Sequence, residues 1–257
     1  MHSLIAIKTN TGTSGIVLLA YRPFPAISDC EETPQPTLSS VGIFPEGALA
    51  WHCLNPTAAI SAFYQQLREE PGILPNEISS ASDDETSWTR VRDFNEEIAE
   101  TTTRDSICDF VAAVSILGKP RMFYINPFGR VYESENKDES PYITVGYGVE
   151  VLNTLLERDL AEQQPGKGRI SLEAAIRSGS KAFHNLFPSF PFAGIADLVV
   201  VTAEKIQSYR HQIEDTQKNS YLTLLNSICR EHRGDITKTF TPQNKAPHPR
   251  EDDTEKQ

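Results

Sequence analysis

Few residues of this chain have side chains and spacings suited to chemistry. The cysteines are Cys30, Cys53, Cys108 and Cys229, and they form no Cys-x-x-Cys pair and have no histidine at zinc-ligand spacing. Metal sites and disulfide frameworks normally show such short spacings. We therefore predict reduced thiols that pack as small hydrophobic side chains, with no metal and no cofactor.

The remaining ionisable candidates are isolated. His2 and His52 are single histidines at strand ends, and such residues are more often surface or hydrogen-bonded core groups than ligands or bases. The acidic run 83–85 precedes a helical stripe of apolar residues, and carboxylates favour the positive end of a helix. We interpret this run as a solvated helix entrance rather than a metal site.

The composition excludes several classes of partner. The 257 residues carry a net charge of -11 and show no basic stripe. Nucleic acids and anionic membranes need clustered Lys and Arg, so we predict neither as a partner. Every apolar window is shorter than the ~18 residues that span a bilayer, and Met1 leads directly into a strand-like pattern. We expect a soluble protein of the cytoplasm or nucleus.

The elements that would position these residues are clearest in the middle of the chain. Continuous apolar and aromatic runs at 107–117, 121–125 and 130–133 are separated by short glycine or proline turns, which predicts an antiparallel meander. A further strand at 142–145 ends in a glycine turn. Apolar residues at helical spacing then predict a helix over 149–160.

The flanking segments continue the same alternation of elements. Strands are predicted at 3–9, 16–21, 41–44, 48–54 and 195–202. Helices are predicted at 55–70, 88–102, 171–185 and, in two segments, 203–233. Asn55 followed by Pro56 marks one helix start, and Ser171 can cap another.

This order predicts one large domain. Hydrophobic residues make up 39% of the chain, which is enough for a sizeable core over residues 1–233. Residues 234–257 hold prolines and charges with almost no large apolar residue, which predicts a disordered charged tail. Strand pairs alternating with helix pairs are what an α+β four-layer αββα sandwich needs. The C-terminal helices would be an addition to it.

The motifs of the middle block resemble a known family. The turn Gly118-Lys-Pro120, the run Ile125-Asn-Pro-Phe-Gly129 and the run Tyr142-Ile-Thr-Val-Gly-Tyr-Gly148 before a helix resemble the β-type subunits of the proteasome family of N-terminal nucleophile (Ntn) hydrolases. The resemblance covers about residues 3–204. It implies the layered sandwich, threonine-type endopeptidase activity in active members, and assembly into a ring with copies of itself or with other subunits.

The resemblance places the family's nucleophile at the start of the first strand. In active members a threonine at the mature N-terminus attacks, with its own amine as base. Here that position falls on His2, or on Ser3 after a slip of one residue. The Ser3 hydroxyl could make the same attack only after removal of Met1 and His2.

The other catalytic positions of the family are also altered. The aspartate at the end of the second strand falls on Ala20 or Tyr21, and the lysine falls within 40–43, where the sequence has none. The serine of the glycine turn falls on Tyr147, which we expect to fill part of the pocket. The later aspartate falls within 187–192, which also lacks one.

We therefore predict a proteasome β-like protein with a degenerate catalytic site, acting as a structural or ring-forming subunit linked to protein degradation. No catalytic residue is expected, and Ser3 is the one candidate. The alternative is an active Ntn peptidase that uses Ser3 after removal of Met1 and His2. A hydrolase of small amides with another residue set is a third possibility.

Overall fold

The computed structural model describes residues 2–11, 14–23, 41–52, 108–128, 130–134, 140–163, 170–186 and 194–213, together with 88, 89, 91–93, 96 and 100. These residues form two antiparallel sheets and two long helices. None of the described helices has the length and apolar content that crossing a bilayer requires.

The first sheet contains the N-terminal strand. Its strands are β1 (Ser3–Thr9), β2 (Gly15–Pro23), β8 (Tyr142–Gly146), β9 (Gly194–Thr202) and β10 (Ile206–Ile213). The spatial order is β10-β9-β2-β1-β8, so β1 lies between β2 and the edge strand β8. The predicted hairpin and the predicted strands at 142–145 and 195–202 are confirmed.

The second sheet contains the meander. Its strands are β3 (Val41–Phe44), β4 (Gly47–His52), β5 (Asp109–Ile116), β6 (Lys119–Ile125) and β7 (Val131–Glu133), in that spatial order. The predicted strand pair and meander are confirmed.

Two helices cover the outer face of the first sheet. They are α1 (Val149–Gln163) and α2 (Leu172–Leu186), both close to their predicted positions. The Ala174 N–H donates to Ser171 Oγ over 3.1 Å, which confirms the predicted cap. Gly179 lets α2 approach the sheet, because a Cβ there would lie 2.6 Å from Leu19 Cδ1.

The space between the two sheets is filled by small and branched side chains. Five alanines lie in this core, two from the first sheet and three from the second: Ala6, Ala20, Ala48, Ala50 and Ala113. Small side chains let the sheets pack closely, so polar groups at the strand ends become buried as well. This close packing creates the interior polar site described below.

The outer face of the second sheet also has a cover. Trp88 and Val91 are fully buried there, and the Trp88 ring lies 5.3 Å from that of Phe123. The described residues thus establish three layers, which are helices, sheet and sheet. Most of the predicted fourth layer, with the helix at 55–70 and the acidic run 83–85, lies outside the described residues.

The predicted helix at 203–233 is wrong in its first part, because Ile206–Ile213 is a strand paired with β9. Apolar residues at 206, 209 and 213 imitate helical spacing. In the structure Ile206 packs in the core between the sheets, whereas Tyr209 packs on the helix side. Residues three apart reach opposite faces in a strand but share a face in a helix. The rest of that segment and the tail 234–257 lie outside the described residues.

Gly47 controls the approach of β4 to β5. It stands opposite Val114, and a Cβ at this position would collide with Ala113 O and lie 2.8 Å from Val114 Cα. Because these are backbone atoms, relief requires the strands to separate. We expect Gly47→Ala to lower the free energy of unfolding by ~3 kcal/mol in urea denaturation.

Gly118→Ala is the matched control for this prediction. Its added Cβ would meet no atom within 4 Å, although its φ of +72° disfavours a side chain. This variant should lose about 1 kcal/mol. Equal losses in the two variants would show that crowding between β4 and β5 is not the cause.

Candidate functional site

The start of β1 presents alternate side chains to two different cores. Leu4 lies in the core between the sheets, and Ile5 lies in the core under the helices. Side chains alternate along a strand. His2 therefore points towards the second sheet, and Ser3 points towards the helices.

Ser3 is fully buried on the helix side. Its Oγ donates a hydrogen bond to the Tyr147 carbonyl over 2.8 Å. The Tyr147 N–H in turn donates to the His2 carbonyl over 3.0 Å. The N–H and carbonyl groups of Tyr147, in the turn after β8, thus both bind the first residues of the chain at β1.

Tyr147 does not occupy the place expected for it. Its side chain is 44% exposed, and its main chain makes the contacts with β1. Packing into a pocket beside Ser3 was therefore the wrong expectation. The preceding Gly146 has a φ of +100°, a conformation that side chains rarely adopt, and it directs the chain away from the interior.

His2 and His52 meet between the sheets. Each is only 8% exposed, and their ring centroids are 5.6 Å apart at an angle of 31°. Gly146 closes over both residues, because a Cβ there would collide with the His2 carbonyl and lie 2.7 Å from His52 Cδ2. The two histidines are thus interior groups in contact with each other.

A carboxylate and a phenol extend this cluster along the second sheet. Asp109 stands opposite His52 in the β4–β5 pair, with Oδ2 3.8 Å from His52 Nδ1. The Tyr124 hydroxyl donates to Asp109 Oδ1 over 2.6 Å. Burial first, then the hydrogen bond and charge of Asp109, raise the pKa of Tyr124 well above its usual value.

A buried carboxylate lies on the first sheet. Asp197 is directly opposite Ala20 in the β2–β9 pair. Val199 and Val201 of the same strand lie between the sheets, so Asp197 shares that face. The position predicted to have lost an aspartate therefore has one on the neighbouring strand, with Cβ atoms about 5 Å apart in such pairs.

Sequence reasoning missed the roles of Asp109, Asp197 and Tyr124. Asp197 is a single charge inside the apolar run 195–201, and Asp109 opens an apolar strand. A charge inside such a run is rarely buried without a partner. These isolated aspartates were therefore the signal in the sequence for a polar contact in the interior. Nothing in the spacing showed that the two runs would face each other.

The remaining candidate groups are distributed elsewhere. Cys108 is a buried thiol, and the other cysteines lie outside the described residues. Within the described ranges no three His, Cys, Asp or Glu side chains are grouped so as to hold a metal ion.

The architecture belongs to a known class of structures. Two stacked antiparallel sheets with a helix pair outside the first sheet form the proteasome-like fold seen in solved structures of Anbu, which is described as an ancestral beta-subunit.

Three of the matching structures are Anbu proteins of two bacteria. Anbu from Yersinia bercovieri aligns with a TM-score of 0.60 and 16% identity, covering 89% of this chain and 93% of that one. Anbu from Hyphomicrobium sp. strain MC1 aligns with a TM-score of 0.58 and 17% identity, covering 94% and 99%. A Gly-1 mutant of the Hyphomicrobium protein aligns with a TM-score of 0.59 and 17% identity. This alignment covers 94% of the present chain and 100% of the mutant chain. At this identity the likeness shows the fold alone.

These matches correct the resemblance drawn from the sequence. The chain was identified there as a divergent β-type subunit of the proteasome, whereas the matching structures described above are those of Anbu. The motifs that suggested the proteasome are turns and strand ends, which a shared fold is sufficient to explain. No protein-family model and no curated protein sequence matches the chain.

Tyr124→Phe tests the contact between Tyr124 and Asp109. The variant removes a hydrogen bond to a carboxylate and should lower the free energy of unfolding by about 2 kcal/mol at neutral pH. The wild-type folded chain keeps the phenolic proton that the unfolded chain loses above about pH 10, so wild-type stability falls as the pH rises past that point. Tyr124→Phe has no phenol at this position, so its stability does not show this loss at alkaline pH.

We therefore expect the stability gap between the two proteins to narrow at alkaline pH. Urea denaturation at about pH 8 and about pH 11 measures it. A gap that stays constant or widens would contradict the assigned contact.

Proposed function

We propose that this chain is a self-associating, non-catalytic protein with the Anbu fold. The observation that carries the proposal is the orientation of β1. Its first hydroxyl, on Ser3, is fully buried, faces the helices and donates to the Tyr147 carbonyl. The residue that faces the space between the sheets is His2, which has no hydroxyl or thiol with which to attack.

The cations needed to activate a hydroxyl lie elsewhere among the described residues. Lys8 donates to the Ser134 carbonyl, and Lys181 is paired with Asp159. Lys119 and Lys205 flank the β5–β6 and β9–β10 turns, at the end of the sheets opposite His52. Among the lysines that the structure describes, none lies near the start of β1 to lower the pKa of a nucleophile there.

The acids near the start of β1 serve the interior instead. Asp109 accepts from Tyr124 and stands beside His52. A partly buried carboxylate with a phenol donor and an imidazole neighbour has partners within its own cluster. We infer that this cluster fixes the strand ends rather than performing chemistry.

Self-association is supported by the relatives. The Yersinia bercovieri protein is described as a beta-subunit, which names it as a part of an assembly. We assign the same tendency to this chain, with copies of itself as the partner in a ring or another homo-oligomer.

The alternative is an active peptidase that uses Ser3 after removal of Met1 and His2. Its support is that Ser3 is the first residue of β1. Trimming would remove the carbonyl that accepts from Tyr147 N–H and the ring that packs against His52. Activity would then require the Ser3 hydroxyl to leave the Tyr147 carbonyl and turn outward.

We expect the wild-type protein and Ser3→Ala to show the same background rate on a panel of peptide amides, measured by release of a fluorescent amine. Ser3→Ala should lower the free energy of unfolding by about 1 kcal/mol, because the hydrogen bond from the buried Ser3 hydroxyl to the Tyr147 carbonyl is lost. Light scattering after size-exclusion chromatography should give a mass of at least twice the chain mass.

Two results would contradict this proposal. One is hydrolysis that Ser3→Ala abolishes, together with a mass-spectrometric N-terminus at Ser3 in protein from its native host. The other is a strict monomer at micromolar concentration.

A further inference from the structure

The β6–β7 turn holds an aromatic side chain in the solvent. Phe128 is 81% exposed, the highest value among the exposed large hydrophobic residues of the described chain. The Asn126 side-chain oxygen accepts from the N–H groups of Phe128 and Arg130 over 3.0 and 2.9 Å, and Asn126 N–H donates to the Arg130 carbonyl over 3.0 Å. Three hydrogen bonds therefore fix the turn that presents the ring.

An aromatic side chain on a turn with a fixed backbone is a favourable binding element. Immobilising a flexible side chain upon association costs about 0.5–1.5 kcal/mol, and a pre-organised turn avoids part of that cost. Exposed aromatic anchors of this kind are typical centres of protein interfaces. Packing within the described monomer gives no reason for the exposure of Phe128.

A cavity of about 500 Å³ adjoins this turn. It lies between β7 and β8, which are the edge strands of the two sheets. Five of its nine lining residues are aromatic or apolar, namely Tyr124, Val131, Tyr132, Tyr142 and Ile143, and the other four are polar.

Two of the three phenols of the cavity wall already have hydrogen-bond partners. Tyr124 donates to Asp109, and Tyr142 donates to Glu157 over 3.1 Å. The rings of Tyr124 and Tyr132 are stacked with centroids 6.0 Å apart. Such walls favour an apolar or aromatic occupant that requires no hydrogen bonds of its own.

The turn and the cavity lie close together in the chain, and this arrangement favours a second copy of the protein as the occupant of the cavity. Val131, which lines the cavity, begins β7 three residues after Phe128. When a projecting group and a cavity adjoin on one face, a two-fold axis can place the group of each copy in the cavity of the other. A single self-complementary surface then makes both contacts.

Charge favours the same pairing. Arg130 is exposed beside Phe128, and Glu157 is exposed at the Tyr142 wall of the cavity. A two-fold exchange brings the arginine of one copy towards the glutamate of the other. This opposes the repulsion expected between copies that each carry a net charge of -11.

We propose that Phe128 of each copy inserts into the tyrosine-lined cavity of a second copy to form a two-fold interface. This inference rests on the proposed self-association and names the surface that carries it.

The first test is sedimentation equilibrium of the full chain with Phe128→Ala. Self-association should weaken about 30-fold, as expected for a central aromatic anchor. Leu117→Ala is the matched control, because Leu117 is also an exposed hydrophobic residue, 74% accessible, in the β5–β6 turn at the other end of the sheet. The control should associate as the wild type does.

The second test identifies the contact directly. A photoreactive benzoyl-phenylalanine at position 128 should give a cross-linked species of twice the chain mass, with the cross-link on the cavity residues 124, 131, 132, 142 or 143. The same group at position 117 should not label these residues.

The outcomes separate this inference from the proposed function. Wild-type self-association that Phe128→Ala leaves unchanged, or weakens no more than Leu117→Ala does, overturns the interface and leaves self-association intact. Cross-links from position 128 to other residues of the partner copy do the same. A wild-type monomer overturns both.

Discussion

The main-chain hydrogen bonds between the start of β1 and the turn after β8 are the constraint on which the rest of the structure depends. Tyr147 accepts from Ser3 Oγ and donates to the His2 carbonyl, so the first two described residues cannot rotate about the strand axis. A strand shifted or turned by one residue exchanges its faces. These hydrogen bonds thus determine that the His2 imidazole, rather than the Ser3 hydroxyl, faces the second sheet.

The polar cluster follows from that constraint. Once His2 faces the second sheet, it meets His52, and the β4–β5 register places Asp109 opposite His52. Burying such groups is costly unless each finds partners, and Tyr124 supplies the strongest contact to the carboxylate. Glycines at 47 and 146 make this packing possible because side chains there would collide with backbone or with the histidines. The arrangement accounts for the buried Ser3 hydroxyl and the interior His2 ring at the start of β1.

The sequence was a good guide wherever local periodicity decided the structure. Nine of the ten strands lie in segments predicted as strands, and both described helices lie close to their predicted positions, because alternation, caps and turn residues act locally. β10 was misassigned because its apolar residues imitate helical spacing, while its pairing with β9 is a tertiary effect.

The site could be predicted only in part for the same reason. The sequence indicated that His2 or Ser3 would stand at the start of β1, and both do. The meeting of His2, His52 and Asp109 depends on how two sheets stack, and no spacing in the chain encodes that distance. Asp197 shows the limit clearly, because its place beside Ala20 comes from a strand far away in sequence.

The central claim is that His2, and not Ser3, faces the second sheet. Nuclear Overhauser contacts in protein with labelled histidine and serine test it most directly. The account predicts contacts between the ring protons of His2 and His52, and none between the β-protons of Ser3 and His52. Contacts from Ser3 to His52, with His2 free in solvent, would contradict it.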